Sequence, residues 1–547
     1  MKKVGILMLA VLFAFASCDN AKKEQKQKTD EKVNVMKAKV DEFASVKLTT
    51  DFSGLSEKER RMIPVLIDIA KIMDKLFWTQ SFGDKSLLDK IEDPYMKEFA
   101  MINYGPWDRL DGMKPFVPGY EEKLMGANFY PHDMTVEEFE AFDDPDKDNL
   151  YTVIVRDEQG KLKTVWYNDY YKAQLSKVID LMNKAIELAE DPGLKNYLQL
   201  RVKAFQTDDY FASDMAWMDM KESRIDFVVG PIENYEDRLF GYKTAYESFV
   251  LVKDEKWSAD LAKFTKMLPA LQTALPCDSK FKQEVPGSDS DLNVYDAIYY
   301  GGDCNSGSKT IAINLPNDER VHLEKGARRL QLKNSMKAKF DLILMPIAEL
   351  MMDQSQLKNI KFDAFFSNVT FHEVAHGLGI KNTINGKGNI REALKEQYMS
   401  WEEAKADILG LFMVEYLVEK GEITNCTVED AYATFIAGIL RSVRFGASSA
   451  HGQANMMAYN LFEDKGAFAR NAEGKYLIDF EKSKSALREW AALILEVEGE
   501  GKYDFAKNYN EINGRIRPSL QADLDKINHA NIPRDIRFEQ GVESLEL

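Results

Sequence analysis

His372 and His376 stand four residues apart in the run Phe371-His372-Glu373-Val374-Ala375-His376-Gly377. An α-helix turns that spacing into two imidazoles on one face, close enough to grip a single metal ion. Glu373 lies between them, where its carboxylate can reach a water beside the metal. The three residues form the H-E-x-x-H pattern of zinc hydrolases. The chain holds only six histidines, so composition alone gives little reason for the match.

Two histidines do not complete a catalytic zinc site, which needs a third protein ligand and an open position. The run Trp401-Glu402-Glu403-Ala404-Lys405-Ala406-Asp407 supplies a candidate on the next predicted helix. Glu403 and Asp407 share a helix face, and Glu402 is rotated away. One of these carboxylates can ligate the metal, while the others orient the imidazoles by accepting their distal N–H groups. The candidate ligands are His372 and His376 with one carboxylate from Glu402, Glu403 and Asp407. The cofactor expected is one zinc ion, and Glu373 is the general base.

The chain has 547 residues, of which 45% are hydrophobic and 11% aromatic, enough for sizeable cores. Its net charge of −17 argues against a nucleic-acid partner. Lys2 and Lys3 precede an apolar run from Val4 to Phe15, too short for a permanent span, which reads as a secretory leader. Phe15-Ala16-Ser17-Cys18 resembles a bacterial lipobox, so the expectation is an exported envelope protein anchored through a lipid on Cys18, on the periplasmic or surface face. The charged stretch after it reads as a tether. Ordinary leader cleavage nearby is the alternative. Cys277 and Cys304 flank Gly/Asp/Ser-rich loops and are candidates for a disulfide in an oxidising compartment. Cys426 reads as a packed small residue.

Ser56-Glu57-Lys58-Glu59 is a capping box opening a helix to about Gln80, with Pro64 inside it. A hairpin is predicted around Asp157-Glu158-Gln159-Gly160, followed by helices over about 168–189 and 193–206. The texture turns β-rich near Ile225, with strands expected at Ile225–Val229, Tyr246–Val252, Val294–Tyr300 and Thr310–Asn314. From about Asn334 to Glu498 the pattern is almost wholly helical.

The paired motifs His372-Glu373-x-x-His376 and Glu402-Glu403-x-Lys405-Ala406-Asp407 resemble the dipeptidyl peptidase III family of zinc exopeptidases. That family usually carries H-E-x-x-G-H and E-E-x-R-A-E. Here the first motif is one residue shorter, Lys405 replaces Arg, and Asp407 replaces Glu. Three more segments extend the resemblance over about residues 225–455. Ala450-His451-Gly452-Gln453-Ala454 resembles the family's A-H-x-Q-A, whose His stabilises the transition state. Gly230-Pro231-Ile232-Glu233-Asn234-Tyr235 resembles G-x-I-E-x-Y, whose Glu binds the substrate's amino terminus and whose Tyr donates to the oxyanion. Asn314-Leu315-Pro316-Asn317 resembles N-x-P-N, which also holds that end. Asn455 stands where the family has Arg.

The resemblance implies an α+β, mostly helical fold: two lobes around a cleft, a helical zinc-bearing lobe and a mixed lobe with a β-barrel-like core. The boundaries drawn are 1–17 leader, 18–34 tether, 35–253 and 296–333 mixed lobe, 254–295 helical-lobe excursion, 334–498 helical lobe, and 499–547 a C-terminal segment of the mixed lobe. It implies removal of dipeptides from the amino end of oligopeptides, with zinc on His372, His376 and Glu403, Glu402 and Asp407 behind them, Glu373, His451 and Tyr235 catalytic, and Glu233, Asn314 and Asn317 binding substrate. Another zinc endopeptidase or aminopeptidase, or a noncatalytic peptide-binding lipoprotein, remains the alternative.

Overall fold

The computed structural model describes residues 35–285 and 291–545. The expected leader, Cys18 and the tether lie outside the described residues. No helix among the described residues is long and apolar enough to cross a membrane.

Five strands build the central sheet: β1 (Ile225–Glu233), β2 (Ala245–Lys253), β3 (Asp291–Gly302), β4 (Ala312–Leu315) and β5 (Arg328–Leu332). Their order is β1-β2-β3-β5-β4, with β3 and β5 parallel and the other neighbours antiparallel. β1 and β2 are buried along nearly their whole length, as continuous apolar runs covered on both faces require. Helix α1 (Glu57–Ser81) packs against β2 and β3. The predicted capping box closes its start: Ser56 accepts from the Glu59 N–H and Glu59 accepts from that of Ser56.

The barrel-like core is corrected to an open, curled sheet. No ladder joins the two edge strands among the described residues. The edges approach at one point, where Asn317 Nδ2 donates to the Ile232 carbonyl at 3.2 Å. β5 is not among the expected strands: Arg329-Leu330-Gln331-Leu332 alternates for only four residues and holds none of the β-branched residues that mark a strand.

The second lobe is a helical body built around α2 (Phe362–Ala375), α3 (Tyr398–Glu419), α4 (Val428–Ser442), α5 (Ala450–Asp464) and α6 (Phe480–Glu500). α3 touches the other four and is buried nearly all round, as a helix apolar on every face must be. A small hairpin, Phe468–Arg470 with Tyr476–Ile478, interrupts the otherwise helical run. Residues Leu261 to Phe281 pack into this helical core, and so do Ala506, Leu520, Leu524 and Ile527 near the C-terminus. The strand Asp535–Glu539 then pairs in parallel with Phe43–Lys47. The C-terminal segment is thus divided between the lobes, whereas the sequence reading gave it wholly to the mixed one.

The proposed disulfide does not form. Cys277, Cys304 and Cys426 are free thiols. Cys304 is buried in the core of the sheet lobe, while Cys277 packs against that of the helical lobe. Cys426 is buried, and burial pushes its thiol up to about 11, as an inert packed residue should be.

The contact that matters for the site is the crossing of α2 and α3. A Cβ on Gly410 would stand 2.8 Å from the His372 backbone nitrogen and 3.0 Å from its Cα. Glycine lets the two backbones touch where the histidines begin. Gly410→Val should therefore force the helices apart, destabilise the fold by about 1–3 kcal/mol and lower metal content. A urea midpoint and bound metal both equal to wild type would show that the spacing is set elsewhere.

Candidate active site

His372 lies in the last turn of α2, and His376 caps that helix with φ −57° and ψ −28°, still right-handed helical. The plain five-residue motif therefore needs no bulge to align its rings, whose centroids are 4.9 Å apart. Each ring is held from behind. His372 Nδ1 lies 2.7 Å from Asp407 Oδ1, and His376 Nδ1 lies 2.8 Å from Glu402 Oε1. A carboxylate on Nδ1 fixes that nitrogen as the protonated one and leaves the Nε2 lone pair for a metal.

Both Nε2 atoms face the same oxygen. Glu403 Oε2 is 3.3 Å from Nε2 of His372 and 3.8 Å from Nε2 of His376. That buried oxygen makes no well-formed hydrogen bond. A buried carboxylate oxygen without a donor, facing two oriented imidazole nitrogens, is the donor set of a zinc site, and these residues fit such an ion. Burial disfavours a charged His372, but Asp407 and Glu403 overrule it and raise its pKa well above the ordinary value. Burial would likewise raise Glu403, yet the His372 and His451 imidazoles beside it hold it well below the usual carboxylate range.

His451 opens α5, whose N-cap Ser449 accepts from the Gly452 N–H. Its Nδ1 lies 2.9 Å from Glu403 Oε2, and its side chain is 62% exposed. The ligand atoms of His372, Glu403 and His451 all lie within 4.8 Å of one another.

The opposite wall comes from the sheet lobe. β1 ends at Glu233, with a register shift between Pro231 and Glu233, and Tyr235 follows, 73% exposed. Asn314 lies on β4 and Asn317 just beyond it. Burial raises the Glu233 carboxyl, although Asn317 and Tyr235 beside it act to lower it. Burial, with Glu233 and Glu247 nearby, pushes the Tyr235 phenol up to about 12, so it remains a donor at neutral pH. All nine expected catalytic, substrate-binding and metal-ligating residues line one cavity of about 630 Å³. Glu402 and Asp407 stand behind it, in contact with the histidines.

For several residues of the site the sequence did not show the role. Asn455 is buried and donates from Nδ2 to Asp407 Oδ2 at 2.6 Å. It completes a chain from α5 through α3 to His372. Lys405 pairs with Glu402 Oε2 at 2.8 Å. Burial would raise Glu402, but Lys405 and His376 bring it down to about 2. On the cleft floor Glu236 pairs with Arg109 at 2.8 Å and Lys123 at 2.7 Å. Glu247 and Asp303 join it in lining the cavity. Burial pushes Asp303 up to about 7 and Glu247 well above the ordinary range. Only the E-N-Y-E run hinted at Glu236.

Known proteins place this arrangement. A family model described as Peptidase family M49 matches residues 144–403. A solved dipeptidyl peptidase III from Caldithrix abyssi superposes with a TM-score of 0.89 and 38% identity, covering 93% of this chain and 99% of that one. The chain belongs to peptidase family M49. The M49 chain is also similar to the dipeptidyl-peptidase III of Corallococcus sp. strain EGB (TM-score 0.78, 36% identity, 93% of this chain and 97% of that one). It matches the Arabidopsis thaliana protein named Nudix hydrolase 3 at 32% identity, over 90% of this chain and 72% of that protein. The M49 chain is a metallopeptidase of the dipeptidyl-peptidase type, with the two-lobe fold of its structural relatives.

If Asn455 steadies Asp407 and through it His372, Asn455→Ala should weaken metal binding by about tenfold without unfolding the protein. Chelator competition measures this, and an unchanged affinity would remove Asn455 from the site.

Proposed function

We propose that this M49 peptidase is a zinc enzyme that releases dipeptides from the amino end of oligopeptides. One observation carries the reading. The carboxylate and amides suited to an ammonium group, and the residues suited to a metal, line the same cavity from opposite walls. A clamp on the amino terminus fixes how far along the peptide the reacting carbonyl lies, and so the length removed.

In this reading His372, His376 and Glu403 hold one zinc ion. When bound, zinc supplies Lewis acidity, polarising a carbonyl and lowering the pKa of water. Glu373 lines the cavity between the two histidines; it takes the proton from the attacking water and delivers it to the departing amine. Tyr235 and His451 donate to the oxyanion as charge develops there. Glu233 accepts from the peptide's ammonium, with the side-chain carbonyls of Asn314 and Asn317 beside it. Asp407, Glu402, Asn455 and Lys405 keep the imidazoles aimed.

Glu373→Ala should retain metal and lower kcat by about 10²–10⁴, read by peptide turnover alongside metal analysis. Normal cleavage by that variant would refute the assignment of the base. Acetylating a peptide's amino terminus should stop cleavage by the wild type; undiminished cleavage would favour an endopeptidase.

The order of basic residues, apolar run and small residues before Cys18 supports a second element of the proposal, export and lipid anchoring at that thiol. Cys18→Ser should shift the protein from the membrane to the soluble fraction of its native host. An unchanged distribution would argue against the anchor.

A further inference from the structure

Glu233 belongs to two cavities. On one side it shares a cavity with the metal-site residues. On the other, with Tyr235 and Asn317, it lines a second cavity of about 680 Å³. This space lies where the sheet stays open, between the edge strand β1 and the end of β4. The bond from Asn317 to the Ile232 carbonyl crosses the gap there.

Two helices, Pro192–Thr207 and Phe211–Asp219, bring Arg201 and Asp214 to its wall. The Arg201 guanidinium lies over the rings of Tyr197 and Tyr210, 5.2 Å from each centroid. Its Nη2 donates to Asp214 Oδ1 at 2.5 Å. Its Nε–H has no hydrogen-bond partner, and neither has the Tyr210 hydroxyl. Both side chains are more than nine-tenths buried. Gly230, at φ +145°, permits their approach to β1: a Cβ there would stand 3.4 Å from Arg201 Nη1 and 3.5 Å from Tyr210 Cε1. Two buried donors left open beside a cavity are costly unless acceptor oxygens reach them.

Charge narrows what can bring those oxygens. Arg201 pairs with Asp214, and Arg320 with Asp318, each at 2.5 Å. The two pairs cancel. Glu233 and Glu319 also line the cavity, and neither forms an ion pair among the described residues. A bare anion is therefore disfavoured, and a ligand with both an ammonium group and acceptor oxygens is favoured. Rings of Tyr151, Tyr197, Tyr210 and Trp217 offer an apolar wall to its body. Glu233 stands three strand residues beyond Gly230, about 10 Å along β1. A dipeptide is about 7 Å long when extended, and hydrogen bonds at its ends complete that span.

We propose that the second cavity binds a free dipeptide with bulky apolar side chains, the enzyme's own product among them. The dipeptide's carboxylate accepts from Arg201 Nε and the Tyr210 hydroxyl, and its ammonium stays on Glu233. Because Glu233 is shared, a dipeptide lodged there denies the clamp to the next substrate, and accumulated product slows the enzyme. No covalent bond is made or broken. The inference rests on the amino-end reading above and gives the clamp a second ligand.

Inhibition of pentapeptide cleavage by phenylalanyl-phenylalanine tests this. Wild type should be inhibited competitively, and the amino-acetylated and carboxyl-amidated forms should each inhibit less. Tyr210→Phe removes a hydroxyl that makes no hydrogen bond within the protein, so the fold should hold. Dipeptide inhibition should nevertheless weaken about 3- to 10-fold, with kcat for the pentapeptide unchanged. Leu150 is an exposed residue lining the cavity, and Leu150→Trp should fill the space and remove the inhibition. Circular dichroism confirms folding of both variants. If both are inhibited like the wild type, or the amide inhibits as well as the acid, the proposal falls while the amino-end reading stands. If wild type cleaves the dipeptide itself, the amino-end reading falls. Calorimetry of dipeptide binding to Glu373→Ala, with and without Tyr210→Phe, then decides the cavity alone, and equal affinities would overturn it.

Discussion

The site depends on one contact, the touching of α2 and α3 at Gly410. Everything needed to hold a metal lies within three turns of that point. α2 contributes His372 and Glu373, with His376 at its end; α3 contributes Glu402, Glu403 and Asp407. At an ordinary helix spacing of 8–10 Å the carboxylates would approach the imidazoles only through water. With a glycine at the crossing, a Cβ's width is removed and the side chains meet at hydrogen-bond distance. The price is two buried carboxylates, Glu402 and Glu403, a half-buried one, Asp407, and a buried lysine on a mainly apolar helix. It is offset because each charge faces an opposite or polar partner: Glu402 faces Lys405 and His376, while Asp407 faces His372 and Asn455. Such a network is stable only when its members are satisfied together.

What could be read in the sequence, and what could not, follows from distance along the chain. The H-E-x-x-H spacing is local, and so are Glu402, Glu403 and Asp407 on one helix, so periodicity placed them correctly. The strands from β1 to β4 were visible because apolar runs and turn residues are local signals too. The meeting of the two walls was not. That Glu233 and Asn317 face His372 across a cavity came from a resemblance, and the coordinates provide the geometry. Asn455 could not have been found from residue type: a lone asparagine in a helix is ordinary until Asp407 is seen 2.6 Å away. The barrel-like core failed for a related reason. Strand count and turn spacing do not report whether the two edges close, and here a single side-chain bond from Asn317 stands in place of a ladder. The cysteine pair failed because loop composition says nothing about which core each thiol enters.

Asn455 shows how a departure from a family pattern can keep its place and change its task. Arginine there would bring a charge next to Asp407. Asparagine brings a neutral donor to Oδ2 of Asp407 and leaves Oδ1 to His372. The shorter Asp at 407 fits this exchange, since a carboxylate one methylene nearer its own helix is bridged on both sides at 2.6 and 2.7 Å. The two departures from the family motif are therefore physically one.

The opposite wall is organised by charge that has no full answer within the protein. Arg109 and Lys123 are both committed to Glu236, which burial alone would raise but their charges bring down to about 2. That leaves Glu233, Glu247 and Asp303 crowded in the same cavity with carboxyls raised by burial. Carboxylates in this state favour either a proton or a cation. A peptide's ammonium group offers three N–H donors and a charge that water at the cleft floor cannot supply, and it reaches the wall with the rest of the peptide directed at the metal. A blocked amino terminus offers neither, so it would leave desolvated carboxylates unanswered. The acidity of one wall thus does for the peptide's end what the histidines of the other do for the metal: in the proposed reading each wall is completed by the cation it receives.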